Sequence, residues 1–262
     1  MLKKVFTWLL AVVLLAGCSA PAAPSVTLTV MAAASLTTPF QQIGAQFEAA
    51  HPGVKVAFNF AGSQQLAQQI QNGAGADVFA SASQKYMDQM TTGGQVEKDA
   101  VRVFARNRLV IIFPKANPAN VVELKDLSRA GLKLVLAAKE VPVGQYALEF
   151  LKKADASLGA GYQAAVLKNV VSYEDNVKAV LSKVTLGEAD AGIVYSSDLT
   201  GESAQKAGQI VIPDELNVIA SYPISALKAS KQPDLAQQFV DFVLSAEGQK
   251  ALAASGFLPP AR

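Results

Sequence analysis

The sequence predicts an α/β protein with two lobes. Each lobe is a mostly parallel sheet flanked by helices, and the chain crosses twice between them at a hinge. Three observations predict it. From residue 26 onward, short apolar runs alternate with segments of helical period, the pattern of strand–helix crossovers in a parallel sheet. One run, Leu109 to Phe113, is apolar throughout and closed by Pro114, as a strand buried on both faces requires. A second block then repeats the alternation, followed by a tail too small to form a core of its own.

Val26 to Met31 reads as the first strand. Leu36, Phe40, Ile43 and Phe47 then recur at helical spacing. Pro39 fits the first turn of that helix with Thr38 as its cap, which leaves Ser35 in the turn before it. Val54 to Phe60 is the next strand, and Leu66, Ala67 and Ile70 mark a helix that stops at Gly73-Ala74-Gly75. Asp77 to Ala80 reads as a third strand, followed by a helix around Tyr86 to Met90 and a Gly93-Gly94 turn. In the second block Leu132 to Ala137 is a strand, and Gly144 to Lys153 is a helix with Tyr146, Phe150 and Leu151 on its inner side. Val177, Val180, Leu181 and Val184 form a further helical stripe. Ala191 to Tyr195 and Ile210 to Ile212 are strands, and Leu235, Phe239, Phe242 and Val243 mark a C-terminal helix. The predicted organisation is therefore 26–107 plus 221–262 as the first lobe and 108–220 as the second, with crossings near Arg106-Asn107 and Ser221-Tyr222. Such a double crossing makes a hinge, and ligands bind in the cleft it closes.

Residues 1–17 read as a signal peptide. Lys3 and Lys4 form a positive n-region, and Val5 to Leu15 is an apolar stretch too short to span a bilayer. Leu15-Ala16-Gly17-Cys18 places a cysteine directly after a small-residue cleavage site. That spacing resembles the bacterial lipoprotein signal, in which the cysteine is lipidated and becomes the new N-terminus. It implies an extracytoplasmic chain anchored to the membrane through Cys18, with 18–25 as a short tether carrying Pro21 and Pro24. The alternative is a plain secretory leader with an incidental cysteine.

Composition excludes several classes of function. Lys3 and Lys4 are two of 23 basic residues, and the 21 that remain balance 21 acidic ones. A near-neutral chain without a basic stripe is not built for nucleic acid. Cys18 is the only cysteine, so there is neither a disulfide framework nor a cysteine metal site. His51 is the only histidine and sits in a helix-ending Ala50-His51-Pro52-Gly53 turn, where a polar cap is its expected role. Nothing places it beside an activated serine, as a triad requires. There is no Gly-x-Gly-x-x-Gly or P-loop. Asp77, Asp126, Asp175, Asp190, Asp198 and Asp214 are scattered without EF-hand spacing and read as caps, turn residues or solvated groups.

What remains is a pair of serines. Ser35 in Ala32-Ala33-Ala34-Ser35-Leu36-Thr37 and Ser63 in Phe60-Ala61-Gly62-Ser63 each stand where a strand gives way to a helix. A helix start offers unpaired N–H groups and the positive end of the helix dipole, and a hydroxyl adds one more donor. Two such neutral cradles suggest an oxyanion receptor. The alternative is that both serines are ordinary N-caps.

Six segments in order carry a resemblance: Ala32 to Thr37, Phe60 to Ser63, Gly75 to Ser81, Val141 to Gly144, Glu174 to Val177 and Gly187 to Tyr195. Together they resemble the molybdate-binding proteins of bacterial ABC importers, from about residue 27 to the C-terminus. The resemblance implies a type II periplasmic binding protein, monomeric, without enzymatic activity or cofactor. It implies a dianion, molybdate or tungstate, held by hydrogen bonds alone with no metal coordinated by the protein. Ser35 and Ser63 would give hydroxyl and backbone donors, Val143 and Val177 backbone N–H groups, and Tyr195 its phenol. Delivery would be to a membrane permease driven by a cytoplasmic ATPase. Local sequence agrees: Val143 lies between Pro142 and Gly144 just before a helix, Asp175 or Asn176 can cap the helix at Val177, and Tyr195 ends a buried strand. Two departures stand out. Valine at 143 adds bulk where relatives often carry alanine, and Gln64 and Gln65 replace small hydroxyl residues, so Gln64 turned inward would alter the pocket. The competing readings are a receptor for another oxyanion such as sulfate, a lipid-anchored hydrolase with Ser35 or Ser63 as nucleophile, and a lipoprotein that binds no anion.

Overall fold

A computed structural model describes residues 26–261. The expected signal peptide, Cys18 and the expected tether lie outside the described residues. The chain runs β1 (Val26–Ala33), α1 (Thr37–Ala50), β2 (Val54–Ala61), α2 (Ser63–Gln71), β3 (Val78–Ala80), α3 (Gln84–Thr92), β4 (Arg102–Asn107) and β5 (Leu109–Pro114). It continues through β6 (Leu134–Ala137), α4 (Pro142–Leu158), α5 (Tyr162–Lys168), β7 (Val170–Glu174), α6 (Val177–Thr185) and β8 (Ala191–Tyr195). The last elements are α7 (Glu202–Lys206), β9 (Ala207–Val211), β10 (Ala220–Ala226), α8 (Pro233–Leu244) and α9 (Ala246–Ala254).

These strands form two five-stranded sheets, ordered β2-β1-β3-β10-β4 and β7-β6-β8-β5-β9. Each is mixed. In the first, β1 pairs in parallel with β2 and β3, while β10 is antiparallel to β3 and β4. In the second, β6 pairs in parallel with β7 and β8, while β5 is antiparallel to β8 and β9. The parallel half of each sheet follows the strand–helix alternation; the antiparallel half is made by the strands that pass between sheets. Two strands escape the sequence pattern. Arg102–Asn107 begins and ends in polar residues, and Val170–Glu174 lies at a sheet edge with Val171 and Tyr173 turned outward, 60% and 53% exposed.

Only Arg108 separates β4 of the first sheet from β5 of the second, and the chain returns between Val211 and Ala220. The two crossings are tied together by Asn217. Its Oδ1 accepts from the Leu109 amide at 3.0 Å, and its Nδ2 donates to the Leu109 carbonyl at 3.0 Å, so one side chain imitates a strand partner. The C-terminal tail returns to the first sheet. There β10 fills the place between β3 and β4, and Phe239 of α8 packs edge-on against Phe40 and Phe47 of α1, with centroids 6.1 and 5.3 Å apart.

Several local expectations shift. Helix α1 starts at Thr37, so Thr38 is its second residue and not its cap, and no side chain caps it. Ser35 lies in a 3₁₀ turn, Ala34–Leu36, that closes the strand-to-helix bend. Helix α4 starts at Pro142, so Val143 is within the first turn. His51 Nδ1 donates to the Phe47 carbonyl, 2.9 Å away, and its ring stacks on the Phe47 ring, closing the C-terminus of α1. Asp77 and Asp190 serve the backbone: Asp77 accepts from the Thr29 amide at 2.7 Å and Asp190 from the Lys133 amide at 2.8 Å.

Candidate functional site

In each sheet the three mutually parallel strands end on the same side, and both sets of ends face one cavity. From the first sheet, β1 leads into Ala33, Ala34 and Ser35, β2 into Ala61, Gly62 and Ser63, and β3 into Ala82. From the second, β6 leads through a short loop to Val141, Pro142 and Val143, β7 to Asn176 and Val177, and β8 ends in Tyr195. Carboxyl ends of parallel strands are where open α/β sheets hold ligands. The structure thus brings Ser35, Ser63, Val143, Val177 and Tyr195 to one wall-to-wall space. It is a small space, with about 10 Å³ open to the centre of a water-sized sphere, on the scale of a ligand of a few atoms.

Among the described residues, none that lines the cavity carries a charged side chain. Three helices begin at it. The first turn of a helix exposes amides without intrahelical partners and concentrates the positive end of the dipole. Helix α2 begins at Ser63, α6 at Val177, and α4 at Pro142, whose missing N–H makes Val143 the first amide of its turn.

The three hydroxyls are turned into donors by their surroundings. Ser63 Oγ accepts from the Ala82 amide at 3.0 Å, which leaves its own proton to point elsewhere. Ser35 Oγ lies 3.0 Å from the hydroxyl of Tyr222, a fully buried residue of β10. A phenol is the stronger acid of the two and the serine oxygen the better acceptor, so Tyr222 donates and the Ser35 proton is free for the cavity. The Tyr195 hydroxyl is buried and makes no hydrogen bond among the described residues. An orphaned buried hydroxyl is costly unless something fills it. Burial pushes the Tyr195 phenol well above its ordinary pKa, and Tyr222, Tyr146 and Asp198 act in the same direction, so it keeps its proton. The carboxamide of Asn176, which also lines the cavity, spends its oxygen capping α6 by accepting from the Ala179 amide at 3.1 Å. Asn176, not Asp175, is therefore the cap. The polar side chains of the site all carry protons to donate, and none is a carboxylate.

A model of bacterial extracellular solute-binding proteins matches residues 28–258. The molybdate-binding protein ModA of Mycobacterium tuberculosis (strain H37Rv) is 40% identical over 245 residues, which is 92% of this chain and 89% of that protein. The chain belongs to the bacterial extracellular solute-binding proteins, in the ModA group. A second ModA, from Haemophilus influenzae (strain Rd), is 31% identical over 259 residues, 97% of this chain and 98% of that protein. The periplasmic molybdate-binding protein of Azotobacter vinelandii has the same two-lobed fold, with a TM-score of 0.78 at 21% identity over 89% of this chain and 100% of that one. As a solute-binding protein of this family the chain works extracytoplasmically and is not an enzyme.

The structure of this solute-binding protein adds residues that the sequence did not single out. Tyr222 orients Ser35. Asn107, the last residue of β4, donates to Ser197 Oγ at 2.7 Å and accepts from Ser196 Oγ at 3.1 Å, which holds the chain just after Tyr195 against the hinge. Asp198 is a turn residue, as the sequence implies, but a buried one. Its buried carboxylate accepts from the Tyr195 amide at 3.2 Å and faces Lys178 Nζ at 2.9 Å, so it couples the end of β8 to the start of α6. Burial raises its pKa and Lys178 opposes that rise. Gly144 has a different reason from the one its neighbours suggest. A Cβ there would lie 2.1 Å from the Ala138 carbonyl oxygen, so glycine lets α4 sit on the end of β6, not on a ligand.

Proposed function

We propose that this protein captures molybdate, and tungstate with it, in the cavity between its sheets and delivers it to an ABC importer. The reading rests most on one observation: a small cavity with an uncharged lining, whose polar side chains all present donors and whose Tyr195 hydroxyl is buried without a partner. Such a site suits a fully deprotonated tetrahedral dianion. Ser35, Ser63 and Tyr195 would donate through their hydroxyls, and Val143 and Val177 through their amides. Phosphate near neutral pH carries a proton that needs a strong acceptor, and no carboxylate is found among the described residues that line the cavity. Sulfate has the charge and shape but is smaller, so donors spaced for the larger ion would reach it with longer, weaker bonds. The names of the ModA relatives support the same ligand.

The first lobe, 26–107 with 221–262, and the second, 108–220, would close about the anion by bending at Arg108 and at the return segment before Ala220. The closed form, a monomer, would dock on a permease driven by a cytoplasmic ATPase, and Cys18 would hold the protein at the membrane by its lipid. Binding drives closure only as far as the anion prefers the closed form to the open one.

Calorimetric titration of the chain from Ser19 onward with molybdate, tungstate, sulfate and phosphate tests the reading. Tight one-to-one binding of the first two, with weak or absent binding of the others, is expected. Sulfate binding as tightly as molybdate would remove the size argument and change the ligand. No heat with any of the four would reduce the serines to helix caps.

A further inference from the structure

Gln64 follows Ser63 at the start of α2, yet its side chain leaves its own sheet. Its Nε2 donates to the backbone carbonyl of Asp175 at 2.9 Å, in the loop that leads through Asn176 to Val177. The bond therefore joins the helix start that carries one hydroxyl donor to the helix start that carries one amide donor. Gly62 makes room for it: a Cβ there would lie 2.4 Å from Gln64 Nε2 and 2.5 Å from the Asp175 carbonyl oxygen. The amide cannot be reversed, because that would set oxygen against oxygen. Its Oε1 is left buried without a partner. That unmet acceptor offsets part of what the bond contributes, as suits a tie that must open again. Gln64 is not among the residues that line the cavity.

We propose that Gln64 is a positioning residue for cargo retention, a latch that forms when the lobes close and slows release of the anion without touching it. The inference rests on the oxyanion reading above. Other side chains also reach across the cleft: the Tyr86 hydroxyl donates to the Glu140 carbonyl, Tyr146 to the Ala82 carbonyl at 3.4 Å, and Gln145 Nε2 to the Tyr86 hydroxyl at 3.5 Å. Gln64 differs from them in tying together two of the proposed donor segments, so its loss should be felt in the dwell time of the ligand.

The test is stopped-flow binding of molybdate and tungstate to the wild-type protein, Gln64→Ala and Gly62→Ala. Losing one hydrogen bond should speed release about fivefold in Gln64→Ala, equally for both anions. Association should be unchanged, because the latch forms after capture, and so should the melting temperature of the anion-free protein. Gly62→Ala should bind more than tenfold more weakly, because its Cβ meets a backbone carbonyl that cannot rotate away; its extended φ of −61° and ψ of 139° suit alanine, so the variant folds. Wild-type release rates in Gln64→Ala would overturn the latch. So would a loss confined to association, or a matching fall in the stability of the anion-free protein. A wild-type protein that binds neither anion would instead overturn the oxyanion reading, and the latch with it.

Discussion

The two halves of the cavity share a strand order and differ in the atoms they present. Strand for strand, β2, β1 and β3 of the first sheet correspond to β7, β6 and β8 of the second. The segment after β1 carries Ser35 and the segment after β6 carries Val143; the segment after β2 carries Ser63 and the segment after β7 carries Val177. One half thus offers hydroxyls, whose protons can turn either way and must be aimed by Tyr222 and Ala82. The other offers amides at Val143 and Val177, whose protons are aimed by the helix itself, beside the single hydroxyl of Tyr195. A side-chain donor is visible in a sequence and sensitive to its neighbours. A backbone donor is insensitive to the residue that bears it, unless that residue is proline.

The comparison breaks most sharply at Val177. It is the first residue of α6, where proline is well tolerated, and Asn176 before it has the extended backbone that a residue preceding proline requires, φ −160° and ψ 168°. Val177→Pro should therefore keep the helix and delete only the amide donor. A hydrogen bond to a charged ligand contributes about 1.5–3 kcal/mol, so molybdate binding should weaken by roughly tenfold to more than a hundredfold. Val177→Ala, which keeps the amide, should bind nearly as the wild type does. Calorimetry on both, with circular dichroism to check the helix, decides it; equal binding by the proline variant would remove Val177 from the site.

A smaller effect is expected on the hydroxyl side. Tyr222→Phe leaves Ser35 in place but removes the group that aims its proton. Molybdate binding should weaken by about 1 kcal/mol, the worth of one ordinary hydrogen bond. At the same time the Ser35 oxygen becomes free to accept, so phosphate should lose part of its disadvantage relative to molybdate. A merely structural loss would weaken both anions alike, and the ratio of the two affinities separates the cases.

This asymmetry also explains what could be seen in the sequence. The serines were visible because a hydroxyl before a helix is a chemical signal, and the alternating apolar runs displayed the parallel half of each sheet. Val143 and Val177 gave no such signal: as side chains they are apolar and buried, and only the resemblance pointed to them. Tyr222 was hidden for another reason. Its partner Ser35 lies 187 residues away, and nothing local in Ser221-Tyr222-Pro223 marks a phenol that aims another residue's proton. Asp198 is legible as a turn residue but not as a buried one, because its burial depends on the helix that brings Lys178 to it. Gln64 was legible as a departure, but its direction was not: it turns across the cleft to Asp175 instead of into the pocket.

The smallest expected effect is a null one, and it tests both halves together. Neither hydroxyls of serine nor amides titrate near neutral pH, and among the described residues Tyr195 is the one ionisable side chain lining the cavity. Its folded pKa is raised, chiefly by burial, so the neutral phenol persists above the pH at which an exposed tyrosine would ionise. Donation from Tyr195 is therefore complete below its ordinary pKa of about 10 and is lost only as pH rises through the higher folded value. Molybdate affinity should change by less than about twofold between pH 6 and 9, where a site built on histidine or on a lysine of lowered pKa would lose affinity as the cation discharges. A fall in affinity across that range would mean that a charged group beyond the lining residues contributes to binding, with Lys178 beside Val177 the first to substitute.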